Sequence, residues 1–137
     1  DYRVHAKEDS LYNTPPVFSI WGLKLTMDWV KSQGGLVGME KLAEQRSKIL
    51  YDAMDRHAGF YTCPIPRPCR SKMNVVFRLK SEELETRFLE EAKKQKLDGL
   101  KGHRSVGGCR ASVYNAMPVE GAKALANLMD EFARKNG

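Results

Sequence analysis

Cysteine patterns that staple a fold or hold a metal are missing from this sequence. Its three cysteines, Cys63, Cys69 and Cys109, are odd in number and contain no Cys-x-x-Cys spacing. That excludes a disulfide framework and a zinc knuckle, and it points to reduced thiols in a cytoplasmic compartment. His57 precedes the first two, but the three side chains at these spacings form no metal-ligand pattern. No basic-then-apolar leader opens the chain, and no apolar run approaches the roughly 20 residues needed to cross a bilayer, so no membrane partner is expected. There is neither an internal repeat nor a low-complexity tract. Aromatic residues make up only 9% of the chain, and no aromatic-rich strand accompanies the basic ones, which removes the usual support for nucleic-acid binding.

What is present is an ordinary globular composition of 137 residues, 42% hydrophobic and 29% charged, with a net charge of +6. One domain of this size buries a real core. The positive balance suits a small anionic ligand as well as a nucleic acid. Most lysines and arginines sit beside Glu or Asp, as on a solvated mixed-charge surface.

Local patterning predicts a mixed α/β (α+β) architecture. Tyr2–His5 reads as the tail of a strand. Thr14 reads as the N-cap of a helix with Pro15 in its first turn, running to about Ser32. Val17, Phe18, Ile20, Trp21, Leu23, Leu25, Met27, Trp29 and Val30 surround that helix rather than striping it, so it demands burial on more than one side. Such a helix implies a missing partner, either another domain or a second subunit. After Gln33-Gly34-Gly35 an amphipathic helix carries Leu36, Met39, Leu42, Ala43, Ile49, Leu50, Ala53 and Met54 at core spacing. A short strand is expected at Phe60–Thr62 and a longer one at Asn74–Leu79. Ser81 should cap a helix ending near Leu97, with Glu82 and Glu83 in its first turn. Leu100–Arg104 and Ala111–Tyr114 read as two further strands, and Pro118 as the N1 residue of the last helix. The result is a small mixed or antiparallel sheet packed with helices.

Two stretches carry chemistry. Gly102-His103-Arg104-Ser105-Val106-Gly107-Gly108-Cys109-Arg110 places three cationic or potentially cationic side chains on a glycine-rich backbone that permits tight reversal. It is either a β-turn with surface arginines or a pocket in which His103, Arg104 and Arg110 converge on a ligand with two anionic groups, such as a phosphorylated acid. Asn13-Thr14-Pro15-Pro16 is either a cap-and-proline helix start or a phosphate grip at a helix N-terminus. Arg70-Ser71-Lys72-Met73-Asn74 is read as a structural lead into a strand, and Cys109 as packing.

Three of these stretches, in this order, resemble the phosphoserine aminotransferase family of class V, fold-type-I aminotransferases. They are Ser10–Pro16, Arg70–Val75, and Leu100–Gly108 with Arg110–Pro118. The resemblance runs from Ser10 to the end of the chain and covers only the C-terminal third or so of the family's length. It implies a homodimer using pyridoxal 5′-phosphate to exchange an amino group between O-phosphoserine plus 2-oxoglutarate and 3-phosphooxypyruvate plus glutamate, in serine biosynthesis. It further implies that residues 1–16 end the large cofactor-binding domain and 17–137 form the small domain. His103 and Arg104 would bind the substrate phosphate, and Arg110 its α-carboxylate. Asn13 and Thr14 would reach the cofactor phosphate of the other subunit. No catalytic residue is assigned: the family's Schiff-base lysine lies a few dozen residues upstream of Asn-Thr-Pro-Pro, and only twelve residues precede Asn13 here. The 137 residues alone are therefore expected to be inactive. The alternative is a free-standing anion- or nucleic-acid-binding module that uses the Gly-His-Arg loop.

Overall fold

The structure is a computed structural model describing all 137 residues, Asp1–Gly137. It divides into two compact units, Asp1–Gly38 and Met39–Gly137.

In the first unit, Tyr2–Lys7 forms a short helix (α1) rather than a strand end. The Asp1 side chain accepts the Arg3 backbone N–H at 2.9 Å and pairs with the Arg3 guanidinium, so a true N-cap outweighs the local strand pattern. The next helix (α2) spans Val17–Ser32. It starts later than expected, with Pro16 at the cap position and no side-chain cap, so Thr14 does not cap it. Two consecutive prolines account for this, because each pushes the residue before it towards extended backbone. None of the side chains of α2 is buried within its unit: Phe18 is 79% exposed and Trp21 53%. The all-round apolar surface read in the sequence is thus open.

A long helix (α3, Gly35–Arg56) leads into the second unit. There the strands Tyr61–Thr62 (β1), Asn74–Leu79 (β2) and Cys109–Ser112 (β3) form an antiparallel sheet in the order β1-β2-β3. Helices Glu82–Lys94 (α4) and Val119–Asn136 (α5) complete it, α4 packing on both β2 and α5. Alternation in β2 sends Val75, Phe77 and Leu79 into the core and leaves Asn74, Val76 and Arg78 half-buried on the opposite face. The core centres on Phe60, Tyr61, Phe77, Phe88 and Phe132, whose rings meet mostly edge to face; Phe88 and Phe132 lie 5.3 Å apart at 88°. The buried Tyr61 hydroxyl donates to the Met129 carbonyl at 2.9 Å.

Ser81 caps α4 by accepting the Leu84 N–H, as its position predicts. The expected strand at Leu100–Arg104 reduces to a single bridge between Lys101 and Cys109, because the chain immediately closes into a turn. The last strand starts and ends two residues early, at Cys109–Ser112, and Pro118 is the cap of α5 rather than its first residue. The Cys63–Pro68 stretch stays irregular up to a single 3₁₀ turn at Arg67–Cys69, and none of the three cysteines is bonded to another.

Candidate functional site

The glycine-rich segment forms a closed loop between the Lys101–Cys109 bridge and its tip. The Gly102 N–H donates to the Gly108 carbonyl at 2.8 Å, and the Val106 and Gly107 N–H groups both donate to the His103 carbonyl. Gly107 and Gly108 have φ of 73° and 71°, a region that L side chains rarely adopt. Gly102 is required for a different reason: a Cβ there would lie 2.1 Å from the Gly107 carbonyl oxygen. The turn predicted at these glycines is therefore real, and it stands on three of them rather than two.

This backbone presents His103 and Arg104 outward, both exposed. The Ser105 N–H points at His103 Nδ1 at 3.3 Å, with the Ser105 hydroxyl 2.7 Å from the same atom. An acceptor role for Nδ1 leaves the proton of the neutral ring on Nε2, the edge facing away from the loop. Arg104 makes no hydrogen bond or ion pair with the rest of the chain. The two residues line a depression of about 420 Å³ together with Lys101, Arg78 and Glu85.

Arg110 does not line that depression. The structure brings His103 and Arg104 together and sets Arg110 apart, on β3 opposite Val76, on the face of the sheet away from the core. Its backbone N–H donates to the Leu100 carbonyl at 2.8 Å, while its buried side-chain Nε has no partner. A buried, unpartnered guanidinium nitrogen is costly unless an acceptor arrives, and a ligand carboxylate is such an acceptor. His103 and Arg104 thus share one depression, and Arg110 follows on the adjoining strand outside its lining.

Elsewhere in this unit several basic residues are paired with carboxylates. Lys72 bridges Glu40 and Glu44, Lys48 pairs with Asp52, Arg67 with Asp55, and Arg56 with Asp130. A cavity of about 600 Å³ beside Tyr51 is lined by several of these pairs. The Arg70–Asn74 stretch is structural: Arg70 stacks over the Tyr51 ring at 4.8 Å, and the Ser71 hydroxyl accepts the Met73 and Asn74 N–H groups at 3.0 Å.

In the first unit, Asn13 and Thr14 are exposed, and neither side chain is engaged in a hydrogen bond. The Val17 N–H turns back to the Pro15 carbonyl and the Ile20 N–H to that of Pro16, which leaves Phe18 and Ser19 N–H without acceptors at the start of α2. An amide, a hydroxyl and an uncapped helix N-terminus form a donor set that fits a phosphate.

Two residues important to this architecture were not singled out in the sequence. Arg46 is 1% exposed and its Nη1 donates to the Asn115 and Met117 carbonyls, holding the loop that follows β3. Burial lowers its pKa, and its Nε and Nη2 are unpartnered. Glu85, 7% exposed, pairs with Arg78 at 2.6 Å. Both were detectable: Arg46 falls between Ala43 and Leu50 on the core stripe of α3, and Glu85 shares a stripe with Phe88 and Ala92.

Against known proteins, the model of the family described as aminotransferase class-V matches residues 1–125. The phosphoserine aminotransferase of Laribacter hongkongensis is 53% identical over the whole of this chain, which covers 38% of that relative. Among solved structures, the phosphoserine aminotransferase from Bacillus circulans subsp. alkalophilus is 44% identical with a TM-score of 0.92, over 99% of this chain and 38% of its own. The pyridoxal-phosphate-bound phosphoserine aminotransferase from Trichomonas vaginalis is 37% identical with a TM-score of 0.83, over 94% of this chain and 37% of its own. The chain therefore spans a little over a third of the length of the relatives it matches.

Proposed function

Because the chain belongs to the class-V aminotransferase family, we propose that it is the C-terminal portion of a phosphoserine aminotransferase and supplies that enzyme's substrate-anion grips. The reaction moves an amino group from O-phosphoserine to 2-oxoglutarate, producing 3-phosphooxypyruvate and glutamate, or runs in reverse. Residues 1–16 end the large domain and 17–137 make the small one. The enzyme is a homodimer.

His103, through Nε2–H, and Arg104 hold the substrate phosphate. Arg110 holds the α-carboxylate and gives its buried Nε an acceptor. Asn13, Thr14 and the open N–H groups of α2 hold the phosphate of pyridoxal 5′-phosphate. When bound, that cofactor supplies the electron sink that makes a proton on the amino-bearing carbon labile. This chain's own residues contribute binding and orientation: two fixed points on the substrate restrict how it turns in the site. The observation that carries the reading is the combination of an exposed His103–Arg104 pair in one depression with the buried, unpartnered Nε of Arg110.

The test is turnover by the full-length protein loaded with pyridoxal phosphate. Glutamate should form from 2-oxoglutarate with O-phosphoserine as donor and far more slowly with serine. Equal turnover of the two donors would refute the phosphate assignment.

A further inference from the structure

We propose that the Arg78–Glu85 pair is a positioning strut for the His103–Arg104 loop, tuning affinity for the phosphorylated end of the substrate; this rests on the site reading above. Glu85 lies one turn into α4 on its core-facing stripe, where a carboxylate is costly unless paired and hydrogen-bonded. Both conditions are met. Its Oε1 accepts from Arg78 Nε at 2.6 Å and from the Leu79 N–H at 3.3 Å. With Nε held, the planar guanidinium directs Nη1 at the Val106 carbonyl, 3.2 Å away at the loop tip.

The stem of Arg78 also explains Gly108 beyond its backbone angle. A Cβ on Gly108 would lie 2.3 Å from Arg78 Cδ, and one on Gly107 3.7 Å from Arg78 Nη1. The two glycines therefore fold directly onto this side chain. Hydrogen bonds within the loop, from Val106 and Gly107 N–H to the His103 carbonyl, set its shape. The Arg78 bond to Val106 sets where that shape sits against the sheet. The chain of contacts runs from Glu85 through Arg78 and Val106 to the backbone of His103, next to Arg104. A lysine at 78 reaches Glu85 but lacks the second, divergent nitrogen.

The experiment uses the full-length, cofactor-loaded enzyme with Arg78→Lys, Glu85→Ala, Glu85→Gln and Arg104→Ala. Loss of one positioning hydrogen bond should raise the O-phosphoserine KM about tenfold in Arg78→Lys and in Glu85→Ala. The inhibition constant of inorganic phosphate should rise in parallel, while the glutamate KM and kcat stay within about twofold. Glu85→Gln, whose amide oxygen still accepts from Arg78 and Leu79, should retain most of the affinity. The double variant Arg78→Lys/Glu85→Ala should be no worse than either single one, because both break the same contact chain. A rise in Arg104→Ala with none in Arg78→Lys or Glu85→Ala overturns the strut alone. Equal losses for both substrates assign the pair to general stability and overturn it too. An unchanged O-phosphoserine KM in Arg104→Ala overturns the site reading, and the strut falls with it.

Discussion

Replacing Arg104 by alanine separates the two anion grips more cleanly than any other change. Arg104 is exposed and makes no contact with the rest of the chain that its loss would break. Its removal should therefore alter folding stability by no more than about 0.5 kcal/mol. Any kinetic effect then reports a ligand contact. A charge-assisted hydrogen bond to a phosphate contributes about 1.5–3 kcal/mol, which converts to a rise of about tenfold to a hundredfold in KM for O-phosphoserine. Glutamate presents a singly charged carboxylate at its far end, and its KM should rise by only about threefold. Arg110→Ala is the complementary change: every substrate carries an α-carboxylate, so both KM values should rise together. Steady-state rates in both directions with the full-length enzyme measure all four numbers. The Arg104 effect should also shrink as pH falls below about 6, where the substrate phosphate passes from dianion to monoanion. Equal losses for O-phosphoserine and glutamate in Arg104→Ala would refute the division of labour, as would a phosphate-selective loss in Arg110→Ala.

Three further outcomes follow from the second unit. Phe88 is fully buried among Tyr61, Phe77 and Phe132, so Phe88→Ala should cost about 3–5 kcal/mol in chemical denaturation; a loss under about 1 kcal/mol would mean the aromatic core is not the fold's anchor. Burial alone would raise the Asp130 carboxyl, but hydrogen bonds from Arg56 and His57 outweigh it and hold the pKa below its ordinary value. A depressed carboxylate stabilises the fold above its unfolded pKa of about 3.9 and ceases to do so as pH falls through the lower folded value. Asp130→Asn should thus flatten the acid limb of the stability–pH curve, and an unchanged limb would remove Asp130 from it. Burial pushes the Cys109 thiol up to about 12, so iodoacetamide at mildly alkaline pH should label the exposed Cys69 and spare Cys109 until the protein is denatured; mass spectrometry of the labelled peptides decides.

The helices were legible where a periodic apolar stripe met a cap or breaker. From Met39 onward the core stripe of α3, the Ser81 cap of α4 and the apolar face of α5 behave as their spacing dictates, whereas Leu36, expected on that stripe, is 85% exposed. Misreadings fell where one local device overrode another. Asp1 turned a strand-like tetrapeptide into a helix by capping it, and Pro15-Pro16 moved the start of α2 past its apparent cap. The expected strand at Leu100–Arg104 reduced to one bridge because the His103 carbonyl accepts the Val106 and Gly107 N–H groups and turns the chain. None of these is visible in hydropathy, since each depends on where a specific backbone group finds its partner.

The site shows the same division at closer range. Residue types announced the chemistry: arginines beside glycines imply anions, and the order of three short motifs implies the family. Geometry decided how the cations are shared out. The alternation of β3 commits Arg110 to the outer face of the sheet, while the turn at His103–Val106 carries His103 and Arg104 away from the strand altogether. Arg110 is held in that register because a one-residue slip would flip Cys109 and Ala111 out of the core. The proposed phosphate and carboxylate contacts therefore come from different elements, the loop and the strand. Such an arrangement matches a ligand whose anions are themselves separated by a short carbon chain, and it is why the phosphate end and the carboxylate end should respond to mutation independently.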